Sequence, residues 1–291
     1  MKWKLGLLSV AVAAMTFGVS ADDNTSGVAV PSVPSFPSDA ARRGRAIADY
    51  ADSFDQGWVD QYLQARMTLY DANGDTVRRQ IRQMILEGND GDKSLVRFMT
   101  PAEVRGVGAL IHEHPDSTDD SWLYLPATRR VRRISGANRT ASFQGTEFTY
   151  EDLSGTIVRR YDWRFLRETT LRSDGQSAPV YELEARPNYA NTGYQRLIFS
   201  IHKENWRVEK IQFFDRAGER LKTLTSSRWR QYHGRFWRAR RLDMRNHQTG
   251  KRTLIESTSQ FLNLSLYQRR DGSQRNNLND QAFTRRALEN G

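Results

Sequence analysis

The chain has 291 residues and no cysteine, with 44 Lys and Arg against 34 Asp and Glu, a formal net charge of +10. The missing thiol excludes disulfide frameworks, thiol nucleophiles and lipidation on cysteine, and leaves the fold dependent on its apolar core. A strongly basic balance raises nucleic-acid binding as a first thought, which the beginning of the chain argues against.

Residues 1–21 place Lys2 and Lys4 before an apolar run that ends at Val19-Ser20-Ala21, a small-x-small site ahead of Asp22-Asp23. That is the pattern of a cleavable secretory signal, and its apolar core is too short to span a membrane comfortably. Export predicts a periplasmic protein that is not itself lipidated and that does not meet nucleic acid. Residues 22–38 carry Pro31, Pro34 and Pro37 among Ser and Val and read as a flexible linker. A single domain over 39–291 is the expectation, because no later compositional break divides the chain.

Ser38 or Asp39 can cap a helix whose stripe is Ile47, Tyr50, Ala51, Phe54 and Trp58. From Val59 onward short strands take over. Asn73-Gly74 marks a two-residue hairpin inside Asp71-Ala72-Asn73-Gly74-Asp75, whose glycine is one residue early for a calcium loop. Strands are predicted at 76–86, 94–99, 107–113, 122–125, 129–134, 179–186, 194–203, 206–215, 221–232, 236–246 and 252–262, with a short helix over 281–290. Sequential hairpins of this kind form an antiparallel meander that curls into a barrel or partial barrel.

Two of these strands alternate cleanly: Tyr181, Leu183 and Ala185 against Glu182, Glu184 and Arg186, and Leu197, Phe199 and Ile201 against mostly polar neighbours. Their apolar face needs a cover. The sequence offers the first helix, the segment around Phe143, Phe148 and Tyr150, and the last helix. Either these covers fill the interior completely or they leave an apolar cavity.

Catalytic patterns are missing: no Gly-x-Ser-x-Gly elbow, no phosphate loop and no His-Glu-x-x-His, so no enzyme and no cofactor is expected. His112-Glu113-His114 could offer two metal ligands on one strand face, but an acidic turn beside a strand accounts for the cluster, and no metal is expected. In residues 129–134, Arg130 and Arg132 fall on one face and Arg129 and Arg133 on the other. Four arginines there suit a phosphorylated headgroup, a membrane surface or an acidic partner.

The stretch Trp-Leu-Tyr-Leu-Pro-Ala-Thr-Arg-Arg-Val-Arg-Arg-Ile-Ser at 122–135, with Ser-Phe-Gln-Gly-Thr-Glu-Phe-Thr-Tyr-Glu-Asp-Leu at 142–153, resembles LolA-like outer-membrane lipoprotein-sorting proteins. The resemblance is to the larger, RND-exporter-associated branch. Arg97-Phe98-Met99-Thr100-Pro101, Gly106-Val107-Gly108, Trp237-Arg238-Ala239 and Met244-Arg245-Asn246 extend it, so that it spans about 46–288. It implies a mainly β fold with some α, a curved antiparallel sheet forming a half-open barrel under a helical lid. It also implies a periplasmic carrier of a lipid or an acylated lipoprotein, with an RND-type exporter as donor and an outer-membrane acceptor. Residue type and alternation then nominate Trp122, Tyr124, Phe143, Phe148, Tyr150, Leu183, Leu197 and Phe199 as cavity lining, and residues 137–150 with the first helix as the lid. The other reading is an exporter accessory subunit that carries no lipid and uses the arginine strand and the aromatic segment as a protein interface.

Overall fold

The computed structural model describes residues 32–266 and 278–290. The expected leader and residues 22–31 of the expected linker lie outside them. Residues 32–37 have no regular structure, yet Phe36 docks among Tyr50, Tyr181 and Trp206 with ring centroids 6.0–6.5 Å away.

Helix α1 (Ala40–Phe54) starts where Asp39 accepts the Arg42 backbone N–H at 2.8 Å. Its stripe of Ile47, Ala48, Tyr50 and Ala51 is buried. The helix stops at Phe54, so Trp58 sits in the following loop rather than on the stripe. Arg235 explains the stop: its guanidinium donates to the carbonyls of Phe54 at 2.8 Å and Ser53 at 2.9 Å, groups that a helix C-terminus leaves unpaired.

Strands β1 (Asp60–Tyr70), β2 (Thr76–Leu86), β3 (Lys93–Thr100), β4 (Gly108–His112), β5 (Asp120–Leu125) and β6 (Arg130–Arg133) make one half of the sheet. The other half comprises β7 (Tyr161–Ser173), β8 (Gln176–Pro187), β9 (Tyr194–His202), β10 (Val208–Asp215), β11 (Arg220–Tyr232), β12 (Phe236–Asn246) and β13 (Arg252–Leu262). The order across the 13-stranded sheet is 6-5-4-3-2-1-13-12-11-10-9-8-7, and every pairing is antiparallel. The sheet is therefore not closed into a barrel. Its two free edges, β6 and β7, follow one another in sequence, and residues 134–160 pass between them. This is the curved half-barrel with a lid that the resemblance implied.

Strand β7 was not expected. Its first half does alternate, Tyr161, Trp163 and Phe165 against Asp162 and Arg164, but past the bulge between Phe165 and Arg167 only Leu171 interrupts a polar run of Arg, Glu, Thr and Ser, so the strand signal is short. Helix α1 lies against this strand so closely that a Cβ on Gly44 would stand 2.5 Å from the Phe165 backbone nitrogen; only glycine permits the approach.

The main core lies on the concave face, where α1 meets Leu63, Ile81, Phe98, Leu183, Phe199, Ile211 and Met244. The last segment was expected as a possible cover for that face. It packs on the convex face instead, where Phe283 and Leu288 of residues 280–290 join Leu95 and Leu110. Arg97 fixes α2 (Arg285–Asn290) by donating to the carbonyls of Ala287 at 3.0 Å and Leu288 at 2.8 Å. No helix among the described residues is long and apolar enough to cross a membrane.

Candidate functional site: the lid and the interior beneath it

The lid begins as a small hairpin. Phe143 N–H donates to the Phe148 carbonyl at 2.8 Å, and Thr146 N–H to the Phe143 carbonyl at 3.1 Å, around Gln144 and Gly145. Both turn residues have positive φ, 52° and 76°, the geometry of a tight turn whose twist suits a hairpin. Nothing lies within 4 Å of where a Gly145 side chain would start, so conformation alone asks for glycine. The turn aims two rings inward: Phe143 and Phe148 are 1% and 2% exposed. Phe143 stacks on Phe98 at 5.3 Å and meets Tyr150 edge-on at 5.6 Å. Both halves of the sheet hold the hairpin, because Arg79 donates to the Gln144 carbonyl at 2.6 Å, and Glu147 accepts from Asn246 at 2.8 Å and donates its N–H to Thr253 at 2.9 Å.

The next residues, Glu151 and Asp152, are buried. Asp152 accepts from Lys222 Nζ at 2.5 Å, from the Tyr194 hydroxyl at 2.7 Å and from the Thr149 N–H at 2.7 Å. The Lys222 and Asp152 side chains are 2% and 4% exposed, and the ammonium also donates to the Glu147 carbonyl at 2.9 Å. Phe213 and Tyr194 add ring faces 5.2 Å and 5.4 Å from it. Glu151 accepts the Tyr189 hydroxyl at 2.7 Å and the Gly193 N–H at 2.8 Å. Burial pushes Tyr161 up to about 12 and holds Tyr189 and Tyr194 well above the usual phenol range, so all three stay neutral donors at ordinary pH. Toward β7, Arg160 grips Asp119 through both guanidinium nitrogens at 2.6 and 2.9 Å, and Gly155 N–H donates to Glu113 at 2.5 Å. These contacts tie residues 143–160 to both halves of the sheet.

Among the described residues, two cavities border this segment. One of about 90 Å³ lies at the end of α1, bounded by Trp58, Trp206, Trp229, Trp237, Ile85 and Leu242. Another of about 40 Å³ lies among Leu197, Ile211, Phe213, Leu224 and Met244. Gly155 borders both, and the second is also lined by Arg139, Glu151, Asp152 and Arg160. A dry cavity of about 150 Å³ accommodates benzene, so neither space holds a long acyl chain while the lid is latched.

Of the nominated lining, Phe143, Phe148, Leu183, Leu197 and Phe199 come together in the concave core, with Tyr150 packed against them. Trp122 and Tyr124 do not. They face the convex side with Phe283 and Leu288, while Leu123 and Leu125 point inward. In Trp-Leu-Tyr-Leu every residue is apolar, so alternation could not choose the inner pair. Arg129, Arg130, Arg132 and Arg133 are exposed; Arg129 precedes the strand in a left-handed turn, and Arg133 pairs with Asp120. His112 hydrogen-bonds the Phe283 carbonyl at 2.7 Å and His114 meets Asp120 at 3.1 Å, while burial lowers the His112 pKa. Among the described residues no three such side chains converge on a metal position.

The residues not anticipated are polar ones in inward rows. Lys222 is in phase with Leu224 and Ser226, and Gln83 with Ile81 and Ile85. A charged or amide side chain breaking an apolar row was the legible signal.

A family model described as an uncharacterized protein matches residues 90–290, more than half of the chain. No curated protein matches it. Among solved structures the chain is similar to an outer membrane lipoprotein-sorting protein domain from Vibrio parahaemolyticus at 36% identity and TM-score 0.77, covering 86% of this chain and 99% of that one. It is also similar to a DUF1329 family protein from Desulfovibrio piger, at 26% identity and TM-score 0.75 over 86% and 99% of the two chains. A LolA superfamily protein from Nitrosomonas europaea shares the fold at 17% identity and TM-score 0.61 over 83% and 97%. With that identity and coverage, the chain belongs to the family of outer-membrane lipoprotein-sorting protein domains.

Proposed function

We propose that this protein carries an acyl chain of a lipid or lipoprotein across the periplasm, and that the chain takes the place which Phe143 and Phe148 occupy in the latched state. The observation that supports this reading is an apolar interior packed around the two inward rings of a hairpin, with small unfilled spaces bordering residues 151–155 of the same segment. At about 0.8 kcal/mol per buried methylene, a 16-carbon chain gains on the order of 10 kcal/mol in a dry interior. Withdrawing two phenylalanine side chains costs about 1.5–3 kcal/mol each. The exchange favours cargo without being irreversible, as a carrier requires. The sequence resemblance supports an RND-type exporter as donor and an outer-membrane acceptor, and the exposed Arg129, Arg130 and Arg132 offer a cationic surface for a membrane or an acidic partner.

A fluorescent fatty-acid probe tests the reading. The purified protein should take up one probe per chain, with emission shifted toward that of an apolar environment, and palmitate should displace it. Absence of uptake by the wild type and by a Phe148→Ala variant with a weakened lid would refute it. That result would favour the accessory-subunit reading, in which the lid never opens.

A further inference from the structure

Resting on the carrier reading, the space at the end of α1 defines the head of the cargo as well as its chain. Gln83 interrupts the inward row Ile81, Gln83, Ile85 of β2 and stands opposite Leu63 and Val96 of the neighbouring strands. It is 4% exposed, and its Oε1 is shut off from solvent without a hydrogen-bond partner. The Asn205 Oδ1, in the turn between β9 and β10, is likewise buried and unpartnered. Both residues border the same cavity of about 90 Å³. A buried acceptor without a donor destabilises the empty protein, and a ligand that supplies the donor removes that cost.

The charges around the cavity are already used. Arg207 pairs with Glu209 at 2.7 Å and lies between the Trp229 and Trp237 rings, 4.8 Å from each centroid. Arg238 pairs with Asp55 at 2.6 Å, donates to Gln61 at 2.9 Å and covers Trp58 at 5.2 Å. Neither guanidinium waits for a phosphate, and the indole faces that would cage an ammonium group already hold a cation. What the cavity still lacks is a neutral donor beside an apolar chain.

We propose that this cavity is the subsite for an amide linkage: Gln83 and Asn205 accept N–H groups at the head of an amide-linked acyl chain that continues beneath Leu153. An acylated polypeptide and a free N-acyl lipid share this chemistry. The test is competition against a bound fluorescent fatty-acid probe by N-methylpalmitamide, methyl palmitate and an N-palmitoyl tetrapeptide. In the wild type the amide should compete about tenfold better than the ester, the factor that one hydrogen bond to a buried acceptor supplies. A further gain for the tetrapeptide assigns the linkage to an acylated polypeptide; equality with the simple amide assigns it to a lipid. Gln83→Leu should bring the amide-to-ester ratio near one, with the melting temperature retained or raised because the unpaired acceptor is gone, and Asn205→Ala should lower the ratio partway. Equal competition by amide and ester in the wild type, or a ratio that survives both substitutions, overturns the subsite. Failure of every form to bind the probe refutes the carrier reading itself.

Discussion

Lys222→Met should destabilise the protein by about 3–5 kcal/mol, because it strands the Asp152 carboxylate in the interior without its counter-charge. For a chain of this size that corresponds to a fall in melting temperature of roughly 10 °C. The latch makes the cost local to the lid. Asp152 would keep the Tyr194 hydroxyl and the Thr149 N–H, but the Glu147 carbonyl would lose its donor and Phe213 its cation. Hydrogen exchange should therefore rise first at residues 143–155. A Lys222→Met/Asp152→Leu double variant should recover much of the loss, since an apolar pair can replace a buried ion pair at little net expense. A single variant within about 1 kcal/mol of wild type would show that the pair does not hold the lid.

Phe148→Ala should separate two roles for the lid rings that the buried core alone does not distinguish. If the ring fills the interior only until cargo arrives, its removal lowers the stability of the empty protein by about 3–5 kcal/mol while sparing the loaded form. By linkage, acyl-chain affinity then tightens, by up to about tenfold for each 1.4 kcal/mol of lid stability surrendered. If the ring instead lines the bound chain, affinity falls. A titration of wild type, Phe143→Ala and Phe148→Ala with a fatty-acid probe decides the matter, and weakened binding in both variants would contradict the displacement mechanism.

Much of the scaffold was legible because its signals are local. Strands 76–86, 236–246 and 252–262 match β2, β12 and β13, and a hairpin joins β1 to β2 where expected, but through a longer loop than the two-residue turn: Asp71 N–H donates to the Asp75 carbonyl, Gly74 N–H to the Asp71 carbonyl, and of Asn73 and Gly74 only Gly74, at φ 93°, is left-handed. Local signals fail where the alternation is short or where both candidate faces are apolar. Strand β7 alternates only over Tyr161, Trp163 and Phe165 before a mostly polar second half, and the run at 122–125 carried an apolar residue at every position. Glu151 and Asp152 were visible only as the end of an aromatic segment. The partner that gives Asp152 its role, Lys222, is 70 residues away and comes near only when β11 pairs into the sheet. Gln83 was visible as a polar residue between two isoleucines, and its weight emerges only once burial removes the water that would otherwise satisfy it.

Native mass spectrometry of the protein purified from its own host, followed by organic extraction, tests the central claim most directly. The carrier reading predicts a bound species of defined mass that is lost on denaturation and that contains a long acyl chain. Protein that arrives empty, and that takes up no fatty-acid probe either as wild type or as Phe148→Ala, would contradict it.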